Sequence, residues 1–249
     1  MVCRTDLETA VVAGSAVLIA SQKIKEKMKI VASHLLEVPK ESLTFKPEGI
    51  FSQDGKSLTT KEIAVASYTK LNLPQGVEPG LESSAIFDPP DYTFHYGAHV
   101  AKVEVNTTSG YVKILDYYAV SDSGNMINPL IVKGQLVGGT ITGIGNALLE
   151  EMVYSDDGQP LSSTFMDYLL PLSTDAPNIK VEHMETPSPL NPLGARGAGE
   201  GGIYGAVPSI INAIDDALSP FNIRSTEAPV TPEKLWRLIK SSSNLTPKN

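Results

Sequence analysis

The stretch Asn191-Pro-Leu-Gly-Ala-Arg-Gly-Ala-Gly-Glu200-Gly-Gly202 sets one carboxylate among glycines at positions 194, 197, 199, 201 and 202. Glycine lacks a Cβ and tolerates positive φ, so such a run brings backbone amides and a single side chain close to a bound group. Directly behind it, Ile203, Val207, Ile210, Ile211, Ile214 and Leu218 recur at the spacing of one helix face. The pattern predicts a helix reaching Leu218 with Glu200 at its start, where free backbone N–H groups meet an anion.

Two plainer readings compete with a catalytic one. Gly197-Ala-Gly199-Glu-Gly-Gly202 satisfies the dinucleotide fingerprint G-x-G-x-x-G, but that fingerprint needs a buried strand ahead of it within a βαβ unit. The preceding Thr186-Pro-Ser-Pro-Leu-Asn-Pro192 carries three prolines, which do not make a central strand. The other reading makes Glu200 a first-turn acid that complements the helix dipole. The residues alone leave that one open.

Working outward, Asn128-Pro129 is a cap followed by a proline in the first turn, and predicts a helix over 129–152. Its glycines at 134, 138, 139, 143 and 145 each cost on the order of 1 kcal/mol relative to alanine. Something must pack closely against them, either another helix backbone or a flat ligand. Ahead of it, His99–Val105 alternates, 106–110 turns and Tyr111–Val120 returns, as a hairpin does. A strand is expected over Ile179–Glu185 and a last helix over Pro232–Ile239. Near the start, apolar residues at helical spacing from Thr9 to Leu36 predict one long helix, or two in sequence, ended by Pro39. Short strands near Leu43–Phe45 and Ile50–Phe51 follow, then an Asp54-Gly55 turn, and Thr60 is expected to cap a helix over Lys61–Tyr68. The whole reads as an α+β fold: one domain over 1–240, made of two lobes of mixed sheet and helices at about 1–72 and 91–240. A proline-rich connection at 73–90 joins the lobes, and a flexible tail is expected at 241–249.

Composition bounds the function. The 249 residues are 41% hydrophobic and 19% charged, ordinary for a globular protein. A formal net charge of −8, with no basic run to offset it, disfavours nucleic acid and anionic membrane as partners. The longest strongly apolar stretch, Ala10–Ala20, is about half a membrane span, and the first residues lack the basic start of a secretory signal. A cytoplasmic location is expected. The single cysteine, Cys3, cannot by itself form a disulfide, a structural zinc site or an iron–sulfur cluster. His95 and His99 lie four apart and share a face, yet no third ligand follows at a useful spacing, so no metal-ligating side chain is assigned.

The run Asn191–Leu218 resembles the C-terminal active-site segment of the molybdenum hydroxylases, the family of xanthine dehydrogenase, aldehyde oxidase and the large subunit of aerobic carbon monoxide dehydrogenase. Four further blocks carry the resemblance: Phe94-His-Tyr-Gly-Ala-His99, Ser121-Asp-Ser-Gly124, Ile127-Asn-Pro-Leu-Ile-Val-Lys-Gly-Gln135 and Phe165-Met-Asp-Tyr168. They keep the family's order and approximate spacing from about Val12 to about Leu235. The fold this implies is the C-terminal half of a molybdopterin-binding domain, with the 94–99 block as a strand packed in the core.

The resemblance also implies chemistry. Glu200 is expected to be the general base in an oxidative hydroxylation that uses water-derived oxygen, with an aldehyde or an N-heterocycle as the small-molecule substrate. The amides around Gly199 and Gly201 are expected to meet oxygens of the molybdopterin-type cofactor. Thr142 stands where many relatives carry a pterin-bonding glutamine, and Leu7-Glu8-Thr9 stands where relatives show a polar Ser-Arg-Ser loop. The family's large subunit is much longer and contributes a Gly-Gln-Gly loop, whereas none of the glutamines here lies between glycines. A split or fragmentary large subunit is therefore expected. Its partners would be a companion N-terminal large-subunit chain that shares the cofactor, a subunit carrying FAD and a subunit carrying 2Fe-2S clusters. The alternative is a non-catalytic assembly module of a multi-subunit oxidoreductase.

Overall fold

The computed structural model describes residues 9–70, 73–225 and 227–243. Cys3, the Leu7-Glu8 part of the expected polar loop and the tail beyond residue 243 lie outside the described residues. The fold is α+β, and the chain divides into two compact units that meet between Pro90 and Asp91.

In the first unit, helix α1 (Thr9–Leu36) has the bounds that its apolar spacing predicts. Strands β1 (Leu43–Lys46), β2 (Gly49–Ser52) and β3 (Ser57–Thr59) form an antiparallel sheet in that order. Gly55, at φ 89°, turns the chain between β2 and β3. Helix α2 spans Thr60–Ser67, and its cap is Thr59, one residue earlier than expected. The spacing explains the correction: Glu62 lies three residues after Thr59, so its carboxylate accepts the Thr59 N–H at 2.8 Å while Thr59 Oγ1 accepts the Glu62 N–H at 3.2 Å. Met28, Val31, Ala32, Leu43, Ile50 and Ile63 form the core. Leu73, Val77 and Leu81 pack into that core, and the Gly80 N–H donates to the Ser67 carbonyl at 2.7 Å. The proline-rich run expected as a connection is thus built into this unit.

In the second unit, β4 (Tyr96–Val105) and β5 (Val112–Asp122) form a long antiparallel hairpin, and β6 (Ile179–Met184) joins β5 in parallel. Period-2 alternation puts Tyr117 and Ala119 of β5 on the face covered by two helices, α3 (Pro129–Leu148) and α4 (Gly201–Ala217). Of the apolar stripe that the sequence pattern predicts, Ile210, Ile214 and Leu218 are buried and Ile203, Val207 and Ile211 half-buried, and Ala206, which the pattern did not include, is buried with them. Helix α3 ends four residues short of the expected 152. The N–H groups of both Leu149 and Glu150 turn back to the Gly145 carbonyl at 2.8 Å, and the Glu150 carboxylate accepts the Tyr168 hydroxyl at 2.6 Å. The last helix, α5 (Pro232–Ser243), continues through residues 241–243 of the expected flexible tail. Among the described residues, no helix is long and apolar enough to cross a membrane.

Candidate functional site

Two of the motif blocks build one loop platform. The buried Asn191 side chain closes a ring on Ala195, donating to its carbonyl at 2.8 Å and accepting its N–H at 3.2 Å. The Gly194 carbonyl accepts the N–H groups of Asn125 and Ser188, and the Asn125 side chain donates to the Leu193 carbonyl at 2.8 Å. Gly124 (φ 64°) and Gly194 (φ 66°) meet at this junction, where a Cβ on Gly124 would lie 2.2 Å from the Gly194 oxygen. Asp122 Oδ1 accepts the N–H groups of Gly124 and Thr186, each at 3.0 Å. Burial alone would raise the Asp122 pKa, but these hydrogen bonds and the Arg196 charge outweigh it and hold the carboxyl below its ordinary value. Arg196 donates to the Thr186 and Phe94 carbonyls at 3.1 Å and lies over the Tyr96 ring at 4.9 Å. Its bridging role was not read from the sequence, because both carbonyls belong to other segments.

This platform delivers Glu200 as the N-cap residue of α4 (φ −106°, ψ 5°), yet the Glu200 side chain makes no capping hydrogen bond. It accepts the hydroxyl of Tyr204, one turn on, and that bond raises the Tyr204 pKa. The helix-dipole reading of Glu200 requires a charge near the helix N-terminus and no side-chain bond, and the N-cap position meets that requirement. Without a side-chain cap, the N–H groups of Gly201 and Gly202 find no acceptor on the Glu200 side chain, while those of Ile203 and Tyr204 donate to the Glu200 carbonyl. Glu200 is half-buried and Gly199 exposed, while Gly201 and Gly202 are buried.

The glycines of α3 separate by position between the two expected causes. Gly139 and Gly143 face α4: a Cβ on Gly143 would lie 2.4 Å from Ala206 Cβ, and one on Gly202 would lie 2.4 Å from the Leu136 carbonyl. These are helix-packing glycines. Gly134 and Gly138 have nothing within 4 Å of a built Cβ. The exposed Thr142 continues that open stripe, its hydroxyl donating to the Gly138 carbonyl at 3.2 Å. Gly199, Glu200 and Gly201 thus share one turn, and Thr142 stands on the neighbouring helix.

His95 and His99 fill the space that two more glycines leave. A Cβ on Gly201 would lie 2.3 Å from His95 Cε1, and one on Gly205 would lie 2.2 Å from His99 Cδ2. His95 Nε2 is hydrogen-bonded to Ser121 Oγ at 3.0 Å, and His99 Nδ1 to the Tyr117 hydroxyl at 2.8 Å. Desolvation lowers the pKa of both imidazoles, opposed at His95 by the Asp122 charge and at His99 by the Gly201 backbone. His99 Nε2 has no partner in hydrogen-bonding geometry, so the Gly201 influence on it is weak. Among the described residues, no group of three or more His, Cys, Asp or Glu could hold a metal ion. Of the 94–99 block expected as a strand packed in the core, residues 96–99 lie in β4 and residues 94–95 precede it, with Phe94 66% and Tyr96 58% exposed. The matched four-residue spacing of His95/His99 and Gly201/Gly205 was the available signal for this packing.

Comparison with known proteins gives the following. The family described as molybdopterin cofactor-binding domain matches residues 8–177, a match that ends before the Glu200 loop. The carbon monoxide dehydrogenase large chain of Hydrogenophaga pseudoflava is 34% identical over 231 residues, 92% of this chain and 28% of its own length. The nicotine 6-hydroxylase large subunit of Paenarthrobacter nicotinovorans is 37% identical over 240 residues, 95% of this chain and 29% of its own. The solved structure of reconstituted CO dehydrogenase from Oligotropha carboxidovorans superposes with a TM-score of 0.90 at 33% identity, covering 98% of this chain and 30% of that one. The chain spans less than a third of the length of these relatives.

Proposed function

The chain belongs to the family of molybdopterin cofactor-binding domains, and from that premise we propose that it builds part of the cofactor pocket of a molybdenum hydroxylase in which Glu200 is the general base. One observation carries the reading. Glu200 stands at an α4 N-terminus that its side chain does not cap, its carboxylate bonded to a neutral hydroxyl, and no ion pair to it occurs among the described residues. A carboxylate that caps no amide and pairs with no cation keeps lone pairs for a proton donor.

The residues present fit an anionic pterin cofactor. First-turn amides left without a side-chain cap are donors for phosphate or pterin oxygens, and the exposed Gly199 puts no side chain in the way. Gly201 would contribute such an amide, and Gly199, ahead of the N-cap, a loop amide. Thr142, with its hydroxyl turned back on its own helix, would offer the cofactor a shorter reach than a glutamine. When bound, the molybdenum centre supplies transfer of a water-derived oxygen and takes up two electrons. Glu200 would hold the proton released from that water, and the platform around Asn191 and Arg196 would hold the loop that leads into it.

The substrate class is an aldehyde or an N-heterocycle, the latter supported by the nicotine hydroxylase relative. The rest of the pocket comes from residues outside this sequence, in the same or a companion chain, and subunits carrying FAD and 2Fe-2S clusters would receive the electrons. In the enzyme that contains this chain, Glu200→Gln should lower kcat by about 10²–10⁴-fold with molybdenum content unchanged. Retained turnover at normal metal content would overturn the assignment and leave the assembly module in its place.

A further inference from the structure

Helix α4 begins on a surface without side chains of its own. Gly201 and Gly205 lie one turn apart on the face that meets β4, and His95 and His99 occupy the volume where their Cβ atoms would be. A ring lying against bare backbone sets how closely the helix approaches the sheet. Close packing of Gly143 against Ala206 holds the helix from the α3 side. Hydrogen bonds add a directional stop along the axis on the sheet side. His99 Nδ1 on β4 is bonded to the fully buried Tyr117 hydroxyl on β5 at 2.8 Å, and that hydroxyl is bonded to Ser209 Oγ on α4 at 3.1 Å. Ser209 Oγ also donates to the Ala206 carbonyl at 2.9 Å, which binds the hydroxyl to its own helix.

We propose that His99, Tyr117 and Ser209 are positioning residues for Glu200: their relay joins two strands to α4 and fixes the axial register of the helix whose N-cap is that glutamate. The proposal rests on the reading of Glu200 as the base. Pro208, next to Ser209, removes one backbone hydrogen bond from α4, and the remaining backbone bonds of the helix carry a register set at Ser209 to residue 200. The hydroxyl at the centre of the relay is fully buried, where its bonds hold better than exposed ones would. Burial raises the Tyr117 pKa to about 12, so its hydroxyl stays protonated and available to the relay throughout the range in which enzymes are assayed. The displacement that matters is small, since misplacing a reacting group by about 1 Å can cost about 10²-fold in rate.

The test uses the enzyme that contains this chain, with Tyr117→Phe, which keeps the buried ring and removes only the hydroxyl, and Ser209→Ala, which cuts the relay at its helix end. Molybdenum content, kcat and KM are measured beside hydrogen–deuterium exchange over residues 199–206. The expected result for each variant is normal molybdenum content, unchanged KM, a roughly tenfold fall in kcat and faster exchange in the first turn of α4. Unchanged exchange in both variants overturns the proposal. Faster exchange at unchanged kcat, where Glu200→Gln is inactive, overturns it as well. An active Glu200→Gln enzyme instead sinks the base assignment, and exchange alone then decides whether the relay sets the helix register.

Discussion

His95 and His99 were the side chains most open to a metal reading, and their environment assigns them to packing and hydrogen bonding. Each imidazole lies against a glycine and bonds a hydroxyl through one ring nitrogen. Burial favours the neutral ring, so both pKa values fall below the ordinary 6.5. The sign for stability follows: the unfolded chain takes up these protons first as the solution is acidified. Their contribution is complete above pH 6.5 and is lost as pH falls from there through the lower folded values. The melting temperature should therefore drop on acidification below that point, and the drop should be shallower in a His95→Gln, His99→Gln double variant. An unaltered slope in the double variant would show that these rings do not carry the acid sensitivity. The same residues mark how far sequence reading reached. Glu200 stood out because its glycine surroundings are local, whereas the partners of the histidines are distant in the chain.

The two glycine-rich helices show how one composition serves two purposes. Along α3, Gly139 and Gly143 lie where α4 approaches too closely for any side chain, while Gly134 and Gly138 face open space. Gly143→Ala should therefore destabilise the second unit by about 1–3 kcal/mol through overpacking against Ala206. Gly138→Ala should stabilise it by about 1 kcal/mol through helix propensity alone. Urea titration of both variants checks the contrast, and equal effects would dissolve the distinction between the two glycine sets. The sequence raised both explanations for these glycines without dividing them, since spacing places a residue on a helix face but does not say what opposes it. Capping was more legible. Asn128 caps α3 as read, its side chain accepting the Leu130 and Ile131 N–H groups, and Thr59 was missed by one position only because Thr60 is a residue of the same kind.

Each unit has its own core, one around Ile50 and Ile63 and the other around Tyr117, Ile144 and Ile210. Residues 91–243 expressed alone should accordingly fold cooperatively and retain the slow amide exchange of α3 and α4 seen in the whole chain. Loss of that protection would mean that the second unit depends on the first. The elements themselves were determined by sequence: an α+β order of helices and strands, the caps and turns that bound them, and a carboxylate set in glycines at a helix start. These follow from rules acting over a few neighbouring residues, so one strand of text is enough to read them. Tertiary structure decided the rest. It bound the 121–125 and 191–197 blocks into one platform, seated His95 and His99 on Gly201 and Gly205, and turned Glu200 toward Tyr204 and away from its own helix amides. Each of these depends on which distant surfaces meet, and burial and close packing settle that only when the whole unit has folded.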